Sequence, residues 1–252
     1  MFILGACVAV LIGLSLGLLG GGGSILTVPT IHYIFGVEAH AAITSSLLVV
    51  GVASVVALIP HIRAGRVRFQ VGAIFGASSM VSAYAAGKLS SLVAPGILLV
   101  SFGGMMAVAA AAMLRPRRLV PARSPGETSL GWLVVQGLVV GAVTGFVGAG
   151  GGFVIVPALV VLVGMPMKEA TATSLMVIAM NSFVAFGATV RSVSLDGRVV
   201  GVVLAGAVLG GILGGKLCGR VPAAELRSWF GWFVLVMAVV ILGAELPGLV
   251  SR

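Results

Sequence analysis

Long apolar runs separated by short polar clusters organise the chain. Residues 3–36, 40–60, 69–88 and 95–114 form four such runs, and 131–164, 170–190, 199–217 and 227–246 form four more. A bilayer-crossing helix needs about 20 apolar residues, so each run is long enough to span. The first run of each set is too long. Thirty-four helical residues reach about 50 Å, against a hydrocarbon core of about 30 Å. Both over-long runs carry glycines near the middle, Gly20–Gly23 and Gly148–Gly152, the latter interrupted by Ala149. The pattern predicts a helix broken at each glycine run, with a second piece ending near Gly36 or Gly164.

The two sets are copies. At an offset of 128 positions, Gly13, Gly17, Gly20, Gly22, Gly23, Val28, Pro29 and Gly36 meet Gly141, Gly145, Gly148, Gly150, Gly151, Val156, Pro157 and Gly164. Ala42, Ser46, Leu47, Ser54 and Arg63 meet Ala170, Ser174, Leu175, Ser182 and Arg191, and Gly87-Lys88-Leu89 meets Gly215-Lys216-Leu217. Internal repeats of this kind are a transporter signature. The expected architecture is an all-α polytopic membrane protein of about eight transmembrane helices. Residues 1–114 and 129–252 would be two four-span repeats, joined by a cytoplasmic linker at 115–128. Four spans per half put both repeats in one orientation. If the glycine runs make full hairpins instead, each half has five elements and the halves are inverted. The apolar pattern accommodates either arrangement.

Composition narrows the class. Sixty per cent of residues are hydrophobic and 8% charged, whereas a water-facing surface needs about a quarter to a third charged residues. That excludes a soluble enzyme, a nucleic-acid-binding domain and a disordered chain; the surroundings are a lipid bilayer. The net charge of +9 reads as a topology signal, because cytoplasmic loops carry excess Lys and Arg. With both termini inside, ten of the 15 basic residues are cytoplasmic. Lys88, Lys168, Lys216, Arg220 and Arg227 are the exceptions. Cys7 and Cys218 form no disulfide framework or metal motif.

Irregular backbone at membrane depth is tolerated only where protein or a wet cavity surrounds it. A break frees N–H groups at the start of the following half-helix, and the positive end of its dipole favours an anion. Gly21, Gly22, Gly23 and Ser24, with Gly150, Gly151 and Gly152, are therefore the candidate anion nests. Close helix packing through small residues is the competing role. Thr44, Ser45 and Ser46, and Thr173 and Ser174 of the Thr171-Ala-Thr-Ser174 run, could add hydroxyl donors or bond back to their own helix. Asn181, deep in an apolar run, is a weaker addition. Lys88 and Lys216 suit interfacial anchors, Arg63 and Arg191 topology determinants, and His32 a proton acceptor. Every carboxylate falls in a loop or near a run end, which argues against a buried proton relay. No metal, cofactor or catalytic set is implied.

These motifs resemble the TauE/SafE sulfite exporter family. The resemblance rests on Gly145-Phe-Val-Gly148-Ala-Gly-Gly-Gly152, Val156-Pro157, Gly164 and Glu169-Ala-Thr-Ala-Thr-Ser-Leu175. The first half repeats it as Gly17-Leu-Leu-Gly-Gly-Gly-Gly23, Val28-Pro29, Gly36 and Ala42-Ile-Thr-Ser-Ser-Leu47. Thr44 and Ala172 stand where the family usually has glycine, and Ser45 replaces a threonine. The resemblance implies a bacterial inner-membrane carrier of small sulfur-containing anions: sulfite, thiosulfate, sulfoacetate or related organosulfonates. The alternative is a channel or carrier for another small anion, such as a carboxylate. A negative cell interior favours export of one anionic charge by ~2.3 kcal/mol per 100 mV, with no coupled ion required.

Overall fold

The computed structural model describes residues 2–90, 95–115, 129–147 and 152–250. Most of the expected linker, and Gly150 and Gly151 of the second glycine run, lie outside them. The first half contains α1 (Phe2–Leu19), α2 (Gly22–Pro29, continued by a π-helical turn at Thr30–Ile34), α3 (Ala39–Arg63), α4 (Phe69–Ser90) and α5 (Pro95–Leu114). The second contains α6 (Leu130–Val147), α7 (Gly152–Val161), α8 (Met167–Thr189), α9 (Gly197–Cys218) and α10 (Ala223–Val250). No strand occurs among the described residues.

Local chemistry sets the boundaries. Glu38 caps α3 by accepting the His40 N–H at 3.2 Å, and Asp196 caps α9 by accepting the Arg198 N–H at 2.9 Å. The same bond from His40 holds the Glu38 carboxyl below its ordinary pKa, so this cap weakens on acidification. Proline cannot donate to the preceding turn, and after Pro29 the helix widens into its π turn. Gly36 (φ +70°) and Gly164 (φ +82°) are repeat-equivalent and end the short helices in left-handed conformation.

Helix α2 folds back along α1, and α7 along α6, instead of continuing onward. Had α2 continued along the axis of α1, Phe35 would lie about 45 Å from Gly5. Instead the Phe35 ring sits against Gly5, and Gly23 packs on the Ile12 carbonyl and the Ser15 and Leu16 side chains. The second half does the same: Gln136 of α6 donates through Nε2 to the Leu162 carbonyl, just past α7, at 2.9 Å. The physical reason is in the backbone. Gly20 adopts φ +84°, which reverses the chain, and a glycine at 23 lets α2 lie directly on α1. The expected single broken span is thus a folded-back pair in each half, giving five helices per half.

The halves interlock through exchange. Along α1 and α9 the contacts rise together: Gly13 meets Ala207, Gly17 meets Gly211, and Gly214 meets Leu14 and Leu18, so these helices run parallel. Helices α6 and α4 repeat the arrangement, with Gly137 on Ser78, Gly141 on Ser79 and Gly145 on Ala83. Each first helix therefore packs on the fourth helix of the other half. A Cβ on these glycines would strike backbone, so the helix axes approach as only small residues allow. Helices α5 and α10 run antiparallel, Gly103 against Leu242 and Gly231 against Leu114. Equivalent helices in opposite directions make the halves inverted repeats.

Helix direction then sorts the loops between two faces. The ends of α3, α5 and α9 and the starts of α4, α6, α8 and α10 share one face, the linker face. The start of α1 and the end of α10 share the other. Arg227 binds the linker face together, donating through Nε to the Met113 carbonyl at 2.7 Å and through Nη2 to Ala112 at 2.9 Å. It satisfies carbonyls that the end of α5 leaves without helical partners.

The outer surface is apolar. Leu4, Leu11, Val81, Val108, Trp132, Leu209, Trp229, Trp232 and Val239 are exposed on six helices. A water-soluble monomer rarely exposes apolar patches above a few hundred Å2. Helices α3, α8, α9 and α10 are long and apolar enough to cross a membrane. The protein is a multi-pass membrane protein.

Two measurements check this architecture. Cysteines at Gln136 and Leu162, in a background lacking Cys7 and Cys218, should cross-link; an onward-running α7 would hold them about 39 Å apart. Gly210→Leu should lower thermal stability in detergent far more than Gly201→Leu. Gly210 abuts the α1 backbone, Gly201 faces open space, and overpacking costs about 1–3 kcal/mol. Equal losses would refute the α1–α9 contact.

Candidate anion site at the hairpin tips

The starts of α2 and α7 meet. Gly21, immediately before α2, abuts the Gly152 carbonyl and the Phe153 Cα at the start of α7. Any side chain at Gly21 would collide there. Two half-helix N-termini thus converge on one point inside the protein. The N–H groups of Gly22, Gly23 and Gly152 belong to first turns, where the helix itself supplies no acceptor. Two positive dipole ends in one low-dielectric place make a site for negative charge.

Helix α8 forms the wall beside the tips. A Cβ on Gly20 would lie 2.5 Å from Ser174 Oγ and 3.0 Å from the Thr171 carbonyl. Ser24 flanks the other side, where a Cβ on Gly152 would lie 2.9 Å from its Oγ. The structure therefore gathers Gly21, Ser24, Gly152 and Ser174. Thr171 joins them; its Oγ1 is fully buried without a hydrogen-bond partner. Sequence reasoning quoted Thr171 within its motif but did not single it out.

The remaining candidates divide by contact. Gly23 packs on α1 and Gly22 lies under the Phe233 ring, so both also serve the hairpin's packing. Thr173 turns to α4, accepting the Arg68 N–H at 3.1 Å, and Arg68 pairs with Glu169 at 2.8 Å. That pairing raises the Arg68 pKa further above its ordinary value and joins the α3–α4 loop to α8. Thr44, Ser45 and Ser46 are buried on α3, the repeat-equivalent wall. Their counterpart tip falls at 148–151, outside the described residues.

Hydroxyl geometry carries a chemical consequence. Ser24 donates to the Gly21 carbonyl at 2.7 Å, Ser46 to Ile43 at 2.7 Å and Ser174 to Thr171 at 2.8 Å. Each proton is committed to a carbonyl three residues back. Rotation about χ1 would be needed before any of these hydroxyls could donate to an anion.

Asn181 stands apart from the tips in a cavity of about 220 Å3 between α3, α4, α6 and α8. Met80, Tyr84, Thr144, Gly145 and Ala185 line it with Asn181, whose Oδ1 is buried without a partner. The cavity reaches Gly145, three positions before the second glycine run.

The described residues form an all-helical membrane protein with two folded-back helix pairs whose second members start at one point. Residues 5–241 match the family model for the sulfite exporter TauE/SafE, and the chain belongs to that family. It is 38% identical over 177 residues to a probable membrane transporter protein of Xylella fastidiosa (strain Temecula1 / ATCC 700964), covering 69% of this chain and 67% of the relative. A probable membrane transporter protein of Methanocaldococcus jannaschii is 28% identical over 184 residues, 69% of this chain and 68% of the relative. One from Bacillus subtilis (strain 168) is 24% identical over 174 residues, 67% and 70% of the two chains. No solved structure matches. The protein is a membrane transporter and not an enzyme.

The buried Thr171 hydroxyl offers a test. A buried oxygen with no partner costs about 1–3 kcal/mol. Thr171→Val should leave the unliganded protein as stable as the parent or raise its Tm. A clear loss would show that the oxygen is partnered.

Proposed function

We propose that this protein carries a small sulfur-containing anion across the bacterial inner membrane, in the direction of export, by alternating access around the hairpin tips. The observation that carries the reading is the convergence of the α2 and α7 N-termini at Gly21 and Gly152. Backbone N–H groups of Gly21–Ser24 and Gly150–Gly152 would hold the anion's oxygens. Ser24, Thr171 and Ser174 would add contacts after rotation, with Thr44, Ser45 and Ser46 doing so from the equivalent wall. Thr173 and Asn181 support the site from its margins. Residues 1–114 and 129–252 act as the two transport repeats, joined at 115–128. Sulfur oxyanions suit such a cradle because several equivalent oxygens can each accept an N–H. Family membership favours them over carboxylates.

Orientation follows from helix direction and charge. The start of α1 and the end of α10 lie opposite the linker face, so on this reading a cytoplasmic linker leaves the termini outside, in place of the expected cytoplasmic termini. The linker face carries Arg63, Arg66, Arg68, Arg115, Lys168, Lys216, Arg220 and Arg227 at its helix ends. The terminal face carries Arg191, Arg198 and, near the end of α4, Lys88. By the positive-inside rule the linker face is cytoplasmic and the termini are outside. A C-terminal epitope should then be accessible to antibody on intact spheroplasts; protection until lysis would reverse the orientation.

The substrate reading rests on titration. Sulfite, thiosulfate and sulfoacetate should each raise the Tm of the purified protein, by about 2.7 kcal/mol of stabilisation at one hundred times Kd. Ser24→Ala should weaken binding by about tenfold or more, as expected for a hydrogen bond to a charged group. Stabilisation by formate or acetate alone would favour the carboxylate alternative. Uptake into proteoliposomes under an imposed potential tests transport itself.

A further inference from the structure

The two repeats do not have the same shape, and the difference falls on one feature. In the first repeat-equivalent position, α3 is docked against the α1–α9 pair. Ala53, Ser54, Ala57 and His61 are fully buried, and a Cβ on Gly211 would lie 3.2 Å from the Ala57 methyl. In the second, α6 and α4 are paired through their own glycines, and α8 touches α4 over its first half, where Gly72 and Gly76 meet Thr173, Met176 and Met180, but parts from α4 and α6 beyond Met180. Asn181, Ser182 and Ala185, the counterparts of Ala53, Ser54 and Ala57, line the 220 Å3 cavity instead of a contact.

A single hydrogen bond marks the docked side. His61 Nε2 donates to the Gly17 carbonyl at 3.1 Å. That carbonyl is available because α1 ends at Leu19, so the residue four positions on, Gly21, is outside the helix. A carbonyl only accepts, which fixes Nε2 as the protonated nitrogen. On the open side the counterpart of His61 is Thr189, and its hydroxyl bonds back to the Ala185 carbonyl at 3.1 Å. Nothing there reaches across to Gly145.

The docked interface also strands polar atoms. Ser54 Oγ and His61 Nδ1 are both buried without partners. Each such atom costs about 1–3 kcal/mol when dry and nothing when wet. A permanent core gains nothing from them, whereas an interface that periodically opens to water satisfies them half the time.

We propose that His61 is a gating residue: its bond to Gly17 latches α3 shut on the linker face while the α8 side stands open. The opposite state is reached when the repeats exchange shapes, with α8 docking on α4 and α6 and α3 swinging off α1 and α9. The proposal rests on the transporter reading for its purpose but concerns only the conformational equilibrium.

The test uses single cysteines in a background lacking Cys7 and Cys218. Ala57→Cys reports the docked side and Ala185→Cys the open side, each read as the rate of labelling by a small maleimide in detergent. With His61 present, Cys at 185 should label quickly and Cys at 57 slowly. His61→Leu should speed labelling at 57 by about fivefold, the equivalent of one lost hydrogen bond, and slow it at 185. His61→Gln keeps a donor and should restore the parental pattern. Thr189→His, which offers a donor to the open side, should slow labelling at 185. Unchanged rates in a monodisperse His61→Leu protein, or an identical change in His61→Gln, would overturn the latch. If His61→Leu does not fold, an unaltered rate at 185 in Thr189→His overturns it instead. A labelling shift without anion transport in proteoliposomes would leave the latch standing and refute the substrate reading.

Discussion

A backbone cut inside a membrane must have its polar groups answered by protein, and the rest of this fold follows from that demand. Ending α1 at Leu19 exposes carbonyls on one side of the cut and N–H groups on the other. The carbonyl side is settled internally: Gly20 N–H bonds to Leu16 at 2.8 Å and His61 takes Gly17. The N–H side meets the start of α7, a second helix N-terminus, with the Gly152 carbonyl against Gly21. Two positive helix ends thus face one junction, which is the physical ground of the anion-site proposal. Bringing the tips together requires backbone to touch backbone, so glycine at 21 is a steric necessity before it is a binding group.

Much of this was legible in the sequence, and the part that was not has a definite cause. Run lengths, the repeat offset and the glycine positions marked out the ten α-helices of the described residues, because each of those signals is local or translational. The direction of the chain after Gly23 or Gly152 is neither. A straight break and a hairpin have the same apolar length and the same composition; contacts such as Phe35 on Gly5 decide between them. Two clues were nevertheless present. Gln136 is an amide in an apolar run and needs a partner, which turned out to be Leu162. The basic residues Lys168, Lys216, Arg220 and Arg227, exceptions to a parallel topology, become consistent once the halves invert. Ser24 follows Gly23 in the sequence and Ser174 ends a hydroxyl run repeated in both halves, and the structure sets Ser174 beside Gly20 and Ser24 beside Gly152. Thr173 accepts the Arg68 N–H while the Thr171 carbonyl lies by Gly20; two positions on a helix differ by about 200° of rotation, and the sequence does not state which faces the tip.

Glycine does two separate jobs here. At Gly13, Gly17, Gly141 and Gly145 it lets long helices from different halves lie axis against axis. At Gly20, Gly36 and Gly164 it turns the chain through conformations that a side chain disfavours. The first job is distributed along a helix face. The second is confined to single positions, and substitution there strains the backbone even where, as at Gly36, surrounding space is open.

The exchange of partners between halves has a consequence in time. Val10 and Leu14 of α1 rest on Gly210 of α9, which the ribosome delivers 200 residues after Val10. At about 5–20 residues per second that is an interval of roughly 10–40 s. Throughout it, the glycine face of α1 is in the bilayer without its native neighbour. Neither half can finish alone, since α4 waits for α6 as α1 waits for α9. The inverted repeat, which looks like two copies of a folding unit, is one unit that closes only when its last helices arrive.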